Sequence, residues 1–147
     1  MKDKTIVLTF DDAVSNHATT VAPLLRHYGF GATFYVCEFP PDFAANKQQY
    51  MTWEQIKGLH DAGFEIGNHT LRHVGVGNVT ATQLTAELDD LEECFCRYGI
   101  SRSVTFAYPG GPGTESAKIT LRDYGFRWAR GVDPRPFVPV DDDPMYV

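Results

Sequence analysis

The stretch Glu65-Ile-Gly-Asn-His-Thr-Leu-Arg-His73 joins an apolar lead-in to two histidines four positions apart, His69 and His73. Residues 64–66 read as a short buried strand, and Gly67-Asn68 as a sharp exit from strand to loop. The histidines therefore fall at the end of a strand, where α/β proteins build their sites. On a helical turn, residues i and i+4 stack on one face, so the two imidazoles could grip one metal ion. The same spacing also suits two surface histidines on a solvated turn. A third ligand, preferably an acid at the end of another strand, separates the two readings.

Strand and helix signals alternate on either side of this stretch. Residues 5–10 form a β-branched, apolar run that ends in Asp11-Asp12. A helix is expected over 18–28, closed by Gly29 and carrying Pro23 as a defect. A strand follows over 31–36, then a loop over 39–49 flagged by Pro40-Pro41. Thr52 and Gln55 have capping-box spacing, which predicts a helix over 53–62 stopped by Gly63. Thr80 and Gln83 repeat it and open the longest helix, to about Tyr98, with Leu84, Leu88, Leu91 and Phe95 on one face. That stripe is core packing. A strand over 104–108, a helix from a Thr114 cap to Tyr124 and a strand over 126–132 complete the series. The alternation makes this an α/β chain with a mainly parallel sheet of about five strands. Residues 1–132 read as one domain, and 133–147, with four of the nine prolines and three consecutive aspartates, as a loop or linker tail.

Composition narrows the function. A chain of 147 residues can bury roughly 70% of its unfolded surface in one core. The net charge of −6 lacks the basic footprint of a nucleic-acid binder. There is no membrane span, since no apolar run approaches 18 residues. Met1-Lys-Asp-Lys4 leads straight into the first strand without a signal-peptide core, so either the protein is cytoplasmic or its export signal lies outside this sequence. Cys37, Cys94 and Cys96 form no disulfide or zinc-knuckle pattern and read as free thiols.

Asp11 and Asp12, at the carboxyl end of the first strand, supply the missing acid. Alone they suit a helix cap or a solvated turn. With His69 and His73 they give one carboxylate and two imidazoles, the donor set of a catalytic divalent-metal site with a position open for water. Consecutive residues point in different directions, so one aspartate can bind the ion while its neighbour takes a proton from the water. His and Asp suit zinc, and equally cobalt, nickel or manganese.

Thr9-Phe-Asp-Asp12, Gly67-Asn-His-Thr-Leu-Arg-His73 and Phe106-Ala-Tyr-Pro-Gly-Gly111 resemble, in order, the first three motifs of the polysaccharide deacetylases, carbohydrate esterase family 4. The resemblance runs from about Thr5 to Val132 and matches a Phe-Ala-Tyr-Pro variant. It implies a deformed (β/α) barrel. It also implies a metal-dependent hydrolase removing N-acetyl or O-acetyl groups from a carbohydrate. By the same resemblance Asp11 is the general base, and Asp12, His69 and His73 are metal ligands. The backbone N–H of Gly110 binds the oxyanion, and Tyr108, Pro109 and Gly111 line the substrate groove. Family members are often exported or held at the cell wall.

Three departures stand out. Ala13 replaces a usual glycine, and Ala107 an arginine that orients the base in many members. No histidine follows His73, where the family supplies a general acid; His17 is a conceivable stand-in, although a capping histidine is the plainer reading. Five strands do not close a barrel, so the expectation is a shortened member with two open edges and an uncovered apolar interior. Such a chain would be weaker on amides than on esters, and a homodimer could repair its edge. The rival readings are a non-catalytic or weakly active domain and a metal-independent relative acting on a cyclic amide.

Overall fold

The computed structural model describes residues 5–147; the lead-in Met1–Lys4 lies outside the described residues. Five parallel strands pair strictly in chain order, β1 (Thr9–Phe10), β2 (Thr33–Val36), β3 (Glu65–Asn68), β4 (Thr105–Ala107) and β5 (Trp128–Arg130). They form a curled, incomplete (β/α) barrel. The connections are helical: α1 (Ala22–Tyr28), α2 (Asp42–Ala45), α3 (Trp53–Asp61), α4 (Ala81–Arg97) and α5 (Glu115–Tyr124). Both capping boxes form: the Thr52 and Thr80 side chains accept from the Gln55 and Gln83 N–H groups, and each Gln side chain accepts from the cap's own N–H. Among the described residues, no helix is long and apolar enough to cross a membrane.

The helix expected over 18–28 carries its defect as a π-helical turn over His17–Val21 that runs directly into α1 at Ala22, with Pro23 just past the junction. The expected loop over 39–49 contains α2, a single turn held by Phe43, which is buried in the core. The first strand is shorter than its apolar run: only Thr9 and Phe10 pair with β2, while Ile6 and Val7 are 83% and 75% exposed.

Alternate residues of the strands face opposite ways. One face carries Phe34, Val36, Ile66, Phe106 and Ala129, all buried under the helices in two apolar clusters. The other carries Thr33, Tyr35, Glu65, Thr105 and Arg130. Glu65 accepts from Thr33 Oγ1 at 2.6 Å and from Thr105 Oγ1 at 3.1 Å, tying β2, β3 and β4 together. The interior of the open barrel is therefore polar and cross-linked, not the apolar surface expected.

The two edges also differ. Among the described residues β1 pairs with β2 alone. On β5, Ala129 N–H donates to Pro144 O and Gly131 N–H to Val147 O, both at 2.8 Å, and Val147 N–H returns to Ala129 O at 2.9 Å. The tail that read as linker thus bonds along β5. Met145 is buried in the second cluster, and Tyr146 lies against Gly113 and Gly131, where an added Cβ would stand 2.9 and 2.7 Å from its ring. Among the described residues, β1 is thus the one edge strand without a second partner.

Candidate metal centre and active site

The three proposed ligands come from two strand ends. Asp12 follows β1 in the left-handed region (φ 73°), as does Ala13 (φ 49°). That turn swings the Asp12 carboxylate off the strand direction, and its geometry favours glycine at the position Ala13 holds. His69 follows β3 directly, its N–H donating to Val36 O at 3.1 Å.

His69 and His73 are not one above the other on a helical turn. Residues 69–73 form no helix, and Thr70 (φ 57°) and His73 (φ 54°) both take left-handed backbone. Local bonds hold this tight loop. Asn68 Oδ1 accepts from Thr70 N–H at 2.9 Å, and Thr70 Oγ1 accepts from Val74 N–H at 2.8 Å. Asn68 Nδ2 donates to Glu92 on α4 at 3.0 Å, and Arg72 pairs with Glu87 and Asp90 of the same helix. The loop doubles back and brings the two imidazole centroids to 4.8 Å.

Asp12 Oδ1 lies 3.5 Å from His69 Nε2 and 3.5 Å from His73 Nε2. Donors about 2.0–2.2 Å from an ion at tetrahedral angles stand about 3.3–3.6 Å apart, so these separations fit a shared ion. The hydrogen bonding fits as well. His69 Nδ1 sits 2.7 Å from Ala107 O, which can only accept. Nδ1 therefore carries the proton and Nε2 presents its lone pair, the arrangement usual for a metal-binding histidine. His69 is 2% exposed, while His73 and Asp12 open to solvent at 29% and 41%, which leaves one side of the site accessible.

The electrostatics favour a charged Asp12 carboxylate and a neutral His73 imidazole. His69, with His73 and the Cys37 thiol, holds the Asp12 carboxyl below the ordinary carboxylate range, against the effect of partial burial. Burial, and then the neighbouring His69, lowers the His73 imidazole below its ordinary value. The fully buried Cys37 thiol donates to Asp12 Oδ1 at 3.8 Å, and burial pushes its own titration up.

Asp11 is separate from this cluster. Its Oδ2 is ion-paired with Arg130 of β5, and its Oδ1 is buried with no hydrogen-bond partner among the described residues. Sequence reading missed Arg130. The signal for it was an arginine at an alternating position of a strand-like run, sharing its face with Trp128.

A family model described as polysaccharide deacetylase matches residues 1–129. The chain belongs to the polysaccharide deacetylase family. The YxkH protein of Bacillus subtilis (strain 168) is 25% identical over 144 residues, 98% of this chain and 50% of its own length. The peptidoglycan-N-acetylglucosamine deacetylase of Bacillus cereus is 28% identical over 137 residues, 90% of this chain and 60% of its own length. The chain thus spans about half to three fifths of these curated relatives. Among solved structures, the Streptococcus pyogenes deacetylase PplD in complex with acetate superposes with a TM-score of 0.83 at 18% identity. That match covers 99% of this chain and 64% of the other, and at this identity it speaks for the fold alone.

The third motif of this deacetylase-family chain divides between surface and core. Gly110 is exposed with φ 73°, and the buried Gly111 (φ 100°) donates its N–H to Tyr108 O at 2.9 Å. Pro109 runs beside the His73 loop, its carbonyl 3.9 Å from where a Cβ on Gly75 would stand. The Tyr108 side chain is not brought to the groove. It is 1% exposed in the second apolar cluster, with its hydroxyl donating to Met145 O at 2.7 Å. His17 likewise packs into the core, 7% exposed between Phe10 and Phe34 at ring distances of 5.6 Å. Burial lowers its titration although Asp12 and Asp11 oppose it.

Proposed function

We propose that this chain carries the catalytic machinery of a hydrolase that removes acetyl groups from a carbohydrate, holding one divalent metal on Asp12, His69 and His73. Zinc is the first choice; cobalt, nickel and manganese suit the same donors. The observation that carries the proposal is the convergence of three ligand atoms beside an aspartate whose one free oxygen is buried and unpartnered. The chain's family membership and the deacetylase names of its relatives agree with it.

When bound, the metal supplies Lewis acidity toward the acetyl carbonyl and an acidified water. The chain's own residues do the rest. His69 is fixed in one tautomer by Ala107 O. Asp11, its Oδ2 committed to Arg130, offers Oδ1 to accept the proton of the attacking water. The exposed N–H of Gly110 is the proposed donor to the oxyanion, a contribution of about 10²–10³ in rate where such donors have been removed. Pro109 and Gly111 shape the groove wall through their backbone. The acetyl group leaves as acetate, and the carbohydrate keeps a free amine, or a hydroxyl where the substrate is an ester.

The test is metal content and acetate release measured together. The full chain, loaded with zinc or cobalt, should bind one equivalent and release acetate from an N-acetylglucosamine oligomer or an aryl acetate. His69→Ala and Asp12→Asn should lose both metal and activity. Wild-type metal content in either variant would sink the ligand assignment. Activity in thoroughly chelated protein would favour the metal-independent alternative.

A further inference from the structure

Three consecutive residues at the end of β2 each reach a segment that carries a proposed metal ligand. Val36 O accepts from His69 N–H at 3.1 Å. Cys37 Sγ donates to Asp12 Oδ1 at 3.8 Å. Glu38 N–H donates at 2.6 Å to Leu71 O, in the loop between the two histidines. β2 lies between β1 and β3 in the sheet, so its end is where the turn after β1 meets the loop after β3. Two of these bonds are main-chain bonds that do not depend on the side chain. The third depends on the side chain at position 37, which lies outside all three motif segments.

The thiol meets the carboxylate where orientation matters. Oδ1 is the same oxygen that stands 3.5 Å from both imidazole Nε2 atoms. Among the described residues, the Asp12 carboxylate has no hydrogen-bond or ion-pair partner besides those imidazoles and this thiol. Asp12 is half-exposed, so without a fixed donor its carboxylate is free to turn toward water. Cys37 is fully buried at the strand end and lacks that freedom. A carboxylate oxygen has two lone-pair sites, so Oδ1 can keep the thiol and still face the histidines. We infer that Cys37 is a positioning residue for Asp12, holding Oδ1 toward His69 and His73 from the end of β2 and so raising the affinity of the site for its ion. Partners that orient a metal ligand from behind are typically worth about 10–100-fold in affinity, and a weak S–H donor belongs at the low end of that range. This rests on the reading of Asp12, His69 and His73 as ligands.

The test is the zinc affinity of the full chain, measured by competition with a chromophoric chelator. The melting temperature of the metal-free protein is the folding control. Cys37→Ala should weaken zinc binding about tenfold, and Cys37→Val, which fills the space without a donor, should match it. Cys37→Ser, which restores a donor, should return to within about threefold of wild type. Cobalt-loaded wild-type protein should show no sulfur-to-cobalt charge-transfer band, because the thiol backs the carboxylate and does not touch the ion. Wild-type affinity in Cys37→Ala and Cys37→Val, with metal lost from His69→Ala, overturns this inference and leaves the ligand set standing. Equal weakening in all three Cys37 variants, tracking their metal-free Tm, shows a packing role and overturns it too. A charge-transfer band that disappears in Cys37→Ser makes Cys37 a ligand and likewise overturns it. Wild-type metal content in His69→Ala removes the ligand reading and this inference with it.

Discussion

The helix-covered face of the sheet and its concave face are made from alternate residues of the same short strands, yet they do different work. Phe34, Ile66 and Phe106 on the covered face fill the two apolar clusters of the core. One residue away along the same strands, Thr33, Glu65 and Thr105 form a hydrogen-bonded row, and Asp11 and Arg130 pair above it. The contrast teaches how an incomplete barrel holds together. Stability comes from the covered face, where the two apolar clusters pack. The concave face can be given over to polar groups aimed at a reaction, because the fold does not depend on filling it.

That division can be broken from either side. The largest effect belongs to the concave face: Asp11→Asn should cut turnover about 10²–10⁴-fold, equivalent to about 3–5 kcal/mol of barrel-side chemistry, while metal stays bound. Acetate release and metal analysis on one sample check it; loss of metal in proportion would mean Asp11 is a ligand. On the covered face, Phe95→Ala removes a fully buried ring that packs edge-on to Trp53. It should cost about 3–5 kcal/mol of unfolding free energy and leave turnover of the folded fraction unchanged. A denaturant melt with a parallel assay decides. If turnover per folded molecule drops with it, the two faces are coupled.

Acid should act through the site rather than the core. Asp12 titrates below the ordinary carboxylate range, so its contribution to stability is present above that range and fades as pH falls through the lowered folded value. His73 titrates below 6.5 because burial disfavours its cation, so stability is again lost as pH falls below 6.5 toward the folded value. Both slopes run the same way, and bound metal, which competes with protons, should move the loss to lower pH. Melting temperature from pH 7 to pH 3, with and without zinc, tests the sign; greater stability in acid would contradict it. The smallest effect is at the junction of the faces with the tail. Tyr108→Phe should cost about 1 kcal/mol through the lost bond to Met145 O, with metal content unchanged.

Much of the frame was legible because its signals are local. Thr52 with Gln55 and Thr80 with Gln83 announce helix starts, and both boxes close. Alternation of apolar runs with capped helices carries the parallel order. Strand length was overread at 5–10, since the apolar run says nothing about how far a partner extends alongside it. The single turn at Asp42–Ala45 was hidden because Phe43 is held by tertiary packing that no local pattern announces. The cluster of Asp12, His69 and His73 could be read from residue type and spacing, although by the wrong local geometry, since left-handed Thr70 and His73 replace the helical turn. The Arg130 pair was not legible: it joins strands at opposite ends of the chain and depends on the curl of the sheet. Tyr108 was assigned to the groove because its motif is, but strand alternation turns its ring into the core.

The three thiols sit at three depths: Cys96 exposed, Cys94 intermediate and Cys37 fully buried against Asp12. The molecule thereby carries its own clock for local opening. A thiol reagent should label Cys96 at once, Cys94 more slowly, and Cys37 only when the end of β2 parts from the turn after β1. The slowest labelling rate measures how often the cradle around Asp12 comes apart, and a bound ion should lengthen that interval by tying Asp12 to the two histidines.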